Sequence, residues 1–175
     1  YNNLGNALVA KQKIEEAISH YKMAIKLNPT LAIIHYNLGI ALVAEGKNEE
    51  AISHYKMAIG LKPDYAEVHY NLGNVLLNKG RTSEAISHYK MAIKLNPDFA
   101  LAHNNLGSAL SAERKIEEAI SHYKMAIELK PGWADAYFNT GVALRKEGNT
   151  REAIFYYKMA IELKPGYADA YNNLG

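Results

Sequence analysis

Cysteine is absent from the 175 residues, so no disulfide and no thiolate metal site can form. Oxidising and reducing compartments both accept such a chain, and localisation stays open: cytoplasmic for a scaffold, extracellular for a filament. No apolar run approaches the ~18 residues that a membrane-spanning helix needs, so membrane insertion is not expected. A marked excess of charge of one sign is missing too. The 20 basic and 18 acidic residues leave a net charge of +2, scattered without a basic stripe, which argues against nucleic acid as a partner. The match to an N-glycosylation acceptor at Asn28, Pro29 and Thr30 carries the forbidden proline.

Catalytic groupings are equally scarce. There is no cysteine nucleophile and no glycine-rich phosphate loop, and Glu16, Glu50, Glu84, Glu118 and Glu152 stand a fixed 34 residues apart. Seven histidines are present, but successive copies of one step lie a packed helix pair apart, on the order of 10 Å. Shared metal ligands must instead converge within ~2 Å of one ion. Neither an enzyme nor a metal or cofactor site is expected.

The scarce glycines and prolines keep strict time. Glycine falls at 5, 39, 73, 107, 141 and 175, and proline at 29, 63, 97, 131 and 165, each a step of 34 residues. A fixed period of this size marks a solenoid whose units pack only on their neighbours. Within one unit, leucine, alanine and isoleucine recur at three- and four-residue steps over roughly 32–45 and 48–62, which predicts two amphipathic helices. Gly46, Gly80 and Gly148 sit where the first helix must stop, in the left-handed geometry that closes many helices, while Gln12 and Arg114 occupy the same step without glycine. Proline ends the second helix, because its ring disfavours helical geometry at the residue before it.

On a helical wheel, Leu38, Gly39 and Leu42 share one face of the first helix, and Ala51, Ile52, Tyr55, Ala58 and Ile59 share one face of the second. These are the expected core. With Pro63, the residues Leu38, Gly39, Ala51, Tyr55 and Ala58 meet the pattern of the tetratricopeptide repeat family, which the chain resembles over its whole length. Thr140 stands for leucine before Gly141, and the family's early tryptophan is replaced by Tyr1, His35, His69, His103, Tyr137 and Tyr171. The resemblance implies an all-α, right-handed superhelical solenoid of antiparallel helix pairs. It also implies one array over 1–175: a partial repeat 1–31, full repeats 32–65, 66–99, 100–133 and 134–167, and a fragment 168–175. The opening residues Tyr1 to Gly5 recur as Tyr171 to Gly175, and the segment is expected to sit within a longer or assembled array.

Opposite the core, the first helices present Tyr36, Tyr70 and Asn74, with asparagine at one step in every unit: Asn3, Asn37, Asn71, Asn105, Asn139 and Asn173. An amide both donates and accepts, so such a row can pair with the backbone of an extended chain. This face resembles the family's concave groove, and the ladder resembles that of the tetratricopeptide arm of O-linked N-acetylglucosamine transferases. Basic residues that would clamp a terminal carboxylate are replaced by Ile33, Glu67, Leu101, Tyr36, Tyr70 and Asn104. On the second helices, Met23, Met57, Met91, Met125 and Met159 occupy one step, expected to form a convex assembly stripe, with His20, His54, His88 and His122 beside it on the surface.

Three functions fit these faces: a non-catalytic scaffold for an extended peptide or partner protein, a self-associating structural filament, or the substrate-recognition arm of a larger enzyme such as a glycosyltransferase.

Overall fold

The computed structural model describes residues 1–174; Gly175, the last of the periodic glycines, lies outside the described residues. The described chain is all α-helix apart from its turns, with eleven helices. It divides into two compact units, Tyr1–Arg81 and a second beginning at Thr82. The first holds α1 (Asn2–Ala10), α2 (Ile14–Leu27), α3 (Ala32–Ala44), α4 (Asn48–Leu61) and α5 (Ala66–Asn78). The second holds α6 (Thr82–Leu95), α7 (Ala100–Ala112), α8 (Ile116–Leu129), α9 (Ala134–Glu147), α10 (Thr150–Leu163) and the short α11 (Ala168–Asn172). Odd numbers are first helices of a repeat and even numbers second helices. In each unit consecutive helices pack side by side, and first helices also touch across repeats, α1 and α5 on α3 and α7 on α9.

The turn inside each repeat is built alike. After α3, Gly46 is left-handed (φ 74°), its N–H reaches the carbonyl of Val43 at 2.9 Å, and the next N–H, of Lys47, reaches Leu42 at 2.8 Å. That pair of bonds satisfies carbonyls the helix leaves open. Gln12 (φ 59°) and Arg114 (φ 61°) take the same conformation and make the same bonds, without glycine's freedom. Between repeats, the proline turn is held by a lysine over an aromatic ring wherever the pair is present: Lys62 on Tyr65, Lys130 on Trp133 and Lys164 on Tyr167.

The core faces lie where the wheel places them: Leu38, Leu42, Ala51, Tyr55 and Ala58 are essentially inaccessible. Each such leucine contributes about 1.5–3 kcal/mol by leaving water. Ile59 departs from the expectation and is half-buried, because it lies at the rim of the face. The periodic glycine makes room for an aromatic ring. A Cβ on Gly107 would stand 2.7 Å from the Tyr123 ring, and one on Gly141 2.6 Å from the Tyr157 ring. Glycine here is the socket for the second helix's tyrosine. Thr140, in the leucine step, is fully buried and hands its hydroxyl to the Ala136 carbonyl at 2.8 Å, so its polarity is satisfied within α9.

The histidine surface expected beside the methionines is corrected by the structure. His54 and His122 are half-buried, turned against the buried His35 and His103 of the facing first helices. A wheel for one helix gives only the sector; the neighbouring helix decides whether that sector meets solvent.

Candidate functional site

The ladder asparagines lie on the outer face of the first helices, where Asn37, Asn71, Asn105, Asn139 and Asn173 are half-buried and Asn3 is exposed. Three of them, Asn37, Asn71 and Asn139, reach the preceding repeat. Asn37 donates from Nδ2 to the Oδ1 atoms of Asn2 and Asn6, each at 3.1 Å. Asn71 donates to the Tyr36 hydroxyl at 3.0 Å, and Asn139 to Oδ1 of Asn104 at 3.0 Å. In all three cases an acceptor sits one residue before the ladder step of the previous repeat. Where that residue is Phe138, with nothing to accept, Asn173 turns to its own helix and donates to the Asp169 carbonyl at 2.7 Å. Asn105 accepts from Asn104 at 3.3 Å.

The amide donors of Asn37, Asn71 and Asn139 are therefore committed to stitching repeats together, which sequence spacing did not reveal. The Oδ1 atoms of Asn37 and Asn139 accept no hydrogen bond among the described residues. What this face offers a ligand is chiefly acceptors.

The floor between them is aromatic. Tyr36 packs against Tyr65 (ring centroids 5.1 Å) and Tyr55 (6.2 Å), and Phe138 repeats the arrangement with Tyr167 (4.9 Å) and Tyr157 (5.9 Å). Burial pushes the Tyr36 hydroxyl above its ordinary pKa, helped by Tyr65 and Glu67, so it remains a neutral donor and acceptor. Tyr70 and Asn74 are half-buried on the same face and hydrogen-bonded or otherwise engaged. Ile33, Ile40 and Val43 add exposed apolar surface.

A second relationship was also invisible in the sequence. The core tyrosine of the second helix passes its hydroxyl toward this face: Tyr21 donates to Asn6 Oδ1 at 2.6 Å, and Tyr123 to Ser108 Oγ at 3.2 Å. In register with Tyr157 stands Val142, which has no acceptor, and the Tyr157 hydroxyl is buried without a partner.

On the second helices Met23, Met57, Met91 and Met125 are exposed, at 43, 58, 38 and 40%, as the wheel indicated, while Met159 is half-buried. Surface depressions lie at the turns; the one formed by Arg114–Glu118 and Glu147 holds about 360 Å³, is open and is lined mostly by charged residues. Among the described residues no group of three or more histidine, cysteine, aspartate or glutamate side chains is placed to hold a metal ion, and no helix is long and apolar enough to cross a membrane.

Family profiles decide the identity. The profile described as TPR repeat matches residues 5–44, 39–80 and 73–113, and that described as tetratricopeptide repeat matches 100–132 and 134–167. The chain belongs to the tetratricopeptide repeat family. Among solved structures it is similar to MamA, at 30% identity and a TM-score of 0.89 over 97% of this chain and 99% of that one. It is also similar to YrrB, described as a TPR protein with an unusual peptide-binding site, at 27% identity and 0.86 over 98% and 89%. PilF of Pseudomonas aeruginosa shares the fold at 22% identity and 0.88 over 99% and 79%. Comparison with curated protein sequences gives no match.

Proposed function

We propose that the chain is a non-catalytic scaffold, one tetratricopeptide array over 1–175, that holds an extended peptide or an extended segment of a partner protein along the first-helix face. The asparagine ladder carries this reading. Where Nδ2 is fixed by the neighbouring repeat, as at Asn37 and Asn139, the amide oxygen is preset to accept from a ligand N–H, and a row of such acceptors suits a peptide backbone whatever its side chains. Tyr36, Tyr70, Asn74 and Phe138 supply flat surface for those side chains. The peptide-binding site described for YrrB supports a ligand of this class.

The test is selection of binders from a random linear peptide library, followed by titration of a selected peptide against the triple variant Asn37, Asn71 and Asn105→Ala. Capture should weaken by about 0.5–1.5 kcal/mol per lost bond while circular dichroism shows retained helix. Unchanged affinity in the variant removes the ladder from the mechanism.

A second reading, assembly through Met23, Met57, Met91, Met125 and Met159, is favoured by the exposure of four of the five. Lysine at 57, 91 and 125 would put charge on the surface to be desolvated. Sedimentation that is concentration-dependent for the native chain and not for this variant supports assembly; a native chain that stays monomeric at all concentrations rejects it.

A further inference from the structure

The first helices end alike in every repeat except one. At the two steps before the turn residues they carry Val9 and Ala10, Val43 and Ala44, Leu77 and Asn78, and Ser111 and Ala112; α9 instead carries Arg145 and Lys146. These steps continue the face of the ladder, since Phe138, Asn139 and Val142 precede them on α9 by one and two turns. Lys146 reaches back across the repeat, its Nζ 3.3 Å from Ser111 Oγ on α7. Both cations are exposed, and neither has a carboxylate partner among the described residues.

Helix termination does not require them. Basic residues in a last turn can offset the negative end of a helix. In α9, however, the open carbonyls of Leu144 and Arg145 are already taken by the N–H groups of Asn149 and Gly148, at 2.9 and 3.1 Å. Helices α3, α5 and α7 close with the same bonds and carry no basic residue in their last helical turn. Arg145 also lies one turn beyond Val142, the residue in register with the buried, partnerless Tyr157 hydroxyl. The Lys146 ammonium and the Ser111 hydroxyl thus stand together, with Arg145 next to Lys146 at the end of α9, and neither cation is paired with a carboxylate among the described residues.

We infer that Arg145, Lys146 and Ser111 form a subsite for the carboxylate side chain of an acidic residue in the bound peptide. The inference rests on the peptide-binding reading of the ladder and gives that reading a sequence preference: backbone N–H groups pair with the asparagine oxygens, and one aspartate or glutamate meets the guanidinium and ammonium together. The planar guanidinium can bind both carboxylate oxygens, so arginine sets the geometry and lysine adds charge.

The experiment pans a random linear peptide library in parallel against the native chain, the double variant Arg145→Gln with Lys146→Gln, and the charge-keeping swap Arg145→Lys with Lys146→Arg. Native binders should be enriched in aspartate or glutamate at one aligned position, the glutamine variant should lose that enrichment, and the swap should keep it. For one selected peptide, replacing its acidic residue by the amide should weaken binding to the native chain on the order of tenfold and leave binding to the glutamine variant unchanged. Binders without acidic enrichment, or enrichment that survives in the glutamine variant, overturn the subsite while leaving the ladder in place. A native chain that selects no peptide overturns both.

Discussion

His35 and His54 meet through their Nδ1 atoms at 3.0 Å, although 19 residues and a turn separate them. The partner of the other nitrogen sets the tautomers. His35 Nε2 lies 3.3 Å from the Pro29 carbonyl, which can only accept, so Nε2 carries the proton and Nδ1 accepts from His54 Nδ1–H. His103 repeats the arrangement with His122 at 3.1 Å and Pro97 at 3.1 Å. His35 and His103 stand where the family's early tryptophan is expected, and the pairs tie the proline turn to both helices of the repeat.

Acid should loosen this tie. Burial holds His54 and His122 below the ordinary imidazole range; their facing histidines and Lys22 or Lys90 act in the same direction, against Glu50 or Glu118. His69 and His103 are lowered by burial as well, partly offset by Pro63 and Pro97. A folded pKa below the unfolded value of about 6.5 means that the unfolded chain binds protons first. The stabilisation is therefore full above that value and is lost as pH falls through the folded pKa values. Melting temperature should drop between about pH 7 and 5, and the variant His35→Tyr with His54→Tyr, copying the Tyr137–Tyr156 pair, should show a shallower drop. An identical slope in the two proteins would remove the pair from the pH response.

Arg114 should be a point of strain. Its left-handed backbone costs an L-residue about 1 kcal/mol that glycine avoids. Because its turn makes the same bonds as that of Gly46, Arg114→Gly should raise the melting temperature. A lower one would mean that the arginine side chain contributes more than its backbone loses.

The tyrosine hydroxyls should respond in opposite ways. Tyr21→Phe removes a 2.6 Å bond to Asn6 and should cost about 0.5–1.5 kcal/mol in denaturant unfolding. Tyr157→Phe removes an unsatisfied buried group and should be neutral or stabilising. Equal destabilisation by both changes would show that Tyr157 has a partner after all.

Two glycines at different steps of the repeat should likewise separate. Gly141→Ala forces a methyl to 2.6 Å from the Tyr157 ring and should destabilise by about 1–3 kcal/mol. Gly60, near the end of α4, has nothing within 4 Å of an added Cβ, and the same step elsewhere carries Lys26, Lys94, Glu128 and Glu162. Gly60→Ala should stabilise by about 0.5–1 kcal/mol. Thermal melts that rank the two variants the other way would refute the socket role.

What the sequence determined by itself is whatever repeats within one helix or one turn. The step of Gly39 and Pro63, the buried faces built on Leu38 and Tyr55, the left-handed position shared by Gly46 and Arg114, and the exposure of Met57 all follow from backbone geometry and helical periodicity, which are local. The partners were decided by tertiary structure. That Asn71 spends its donor on Tyr36 in the preceding repeat, that Tyr21 reaches Asn6, that His54 turns inward to His35, and that Lys146 leans over to Ser111 are contacts across 15 to 35 residues. They depend on how far apart packed helices stand and which side chains the gap admits. A helical wheel contains the angle of a residue about one axis and no distance to the next, so it could name the asparagine ladder but not show that its donors were already taken.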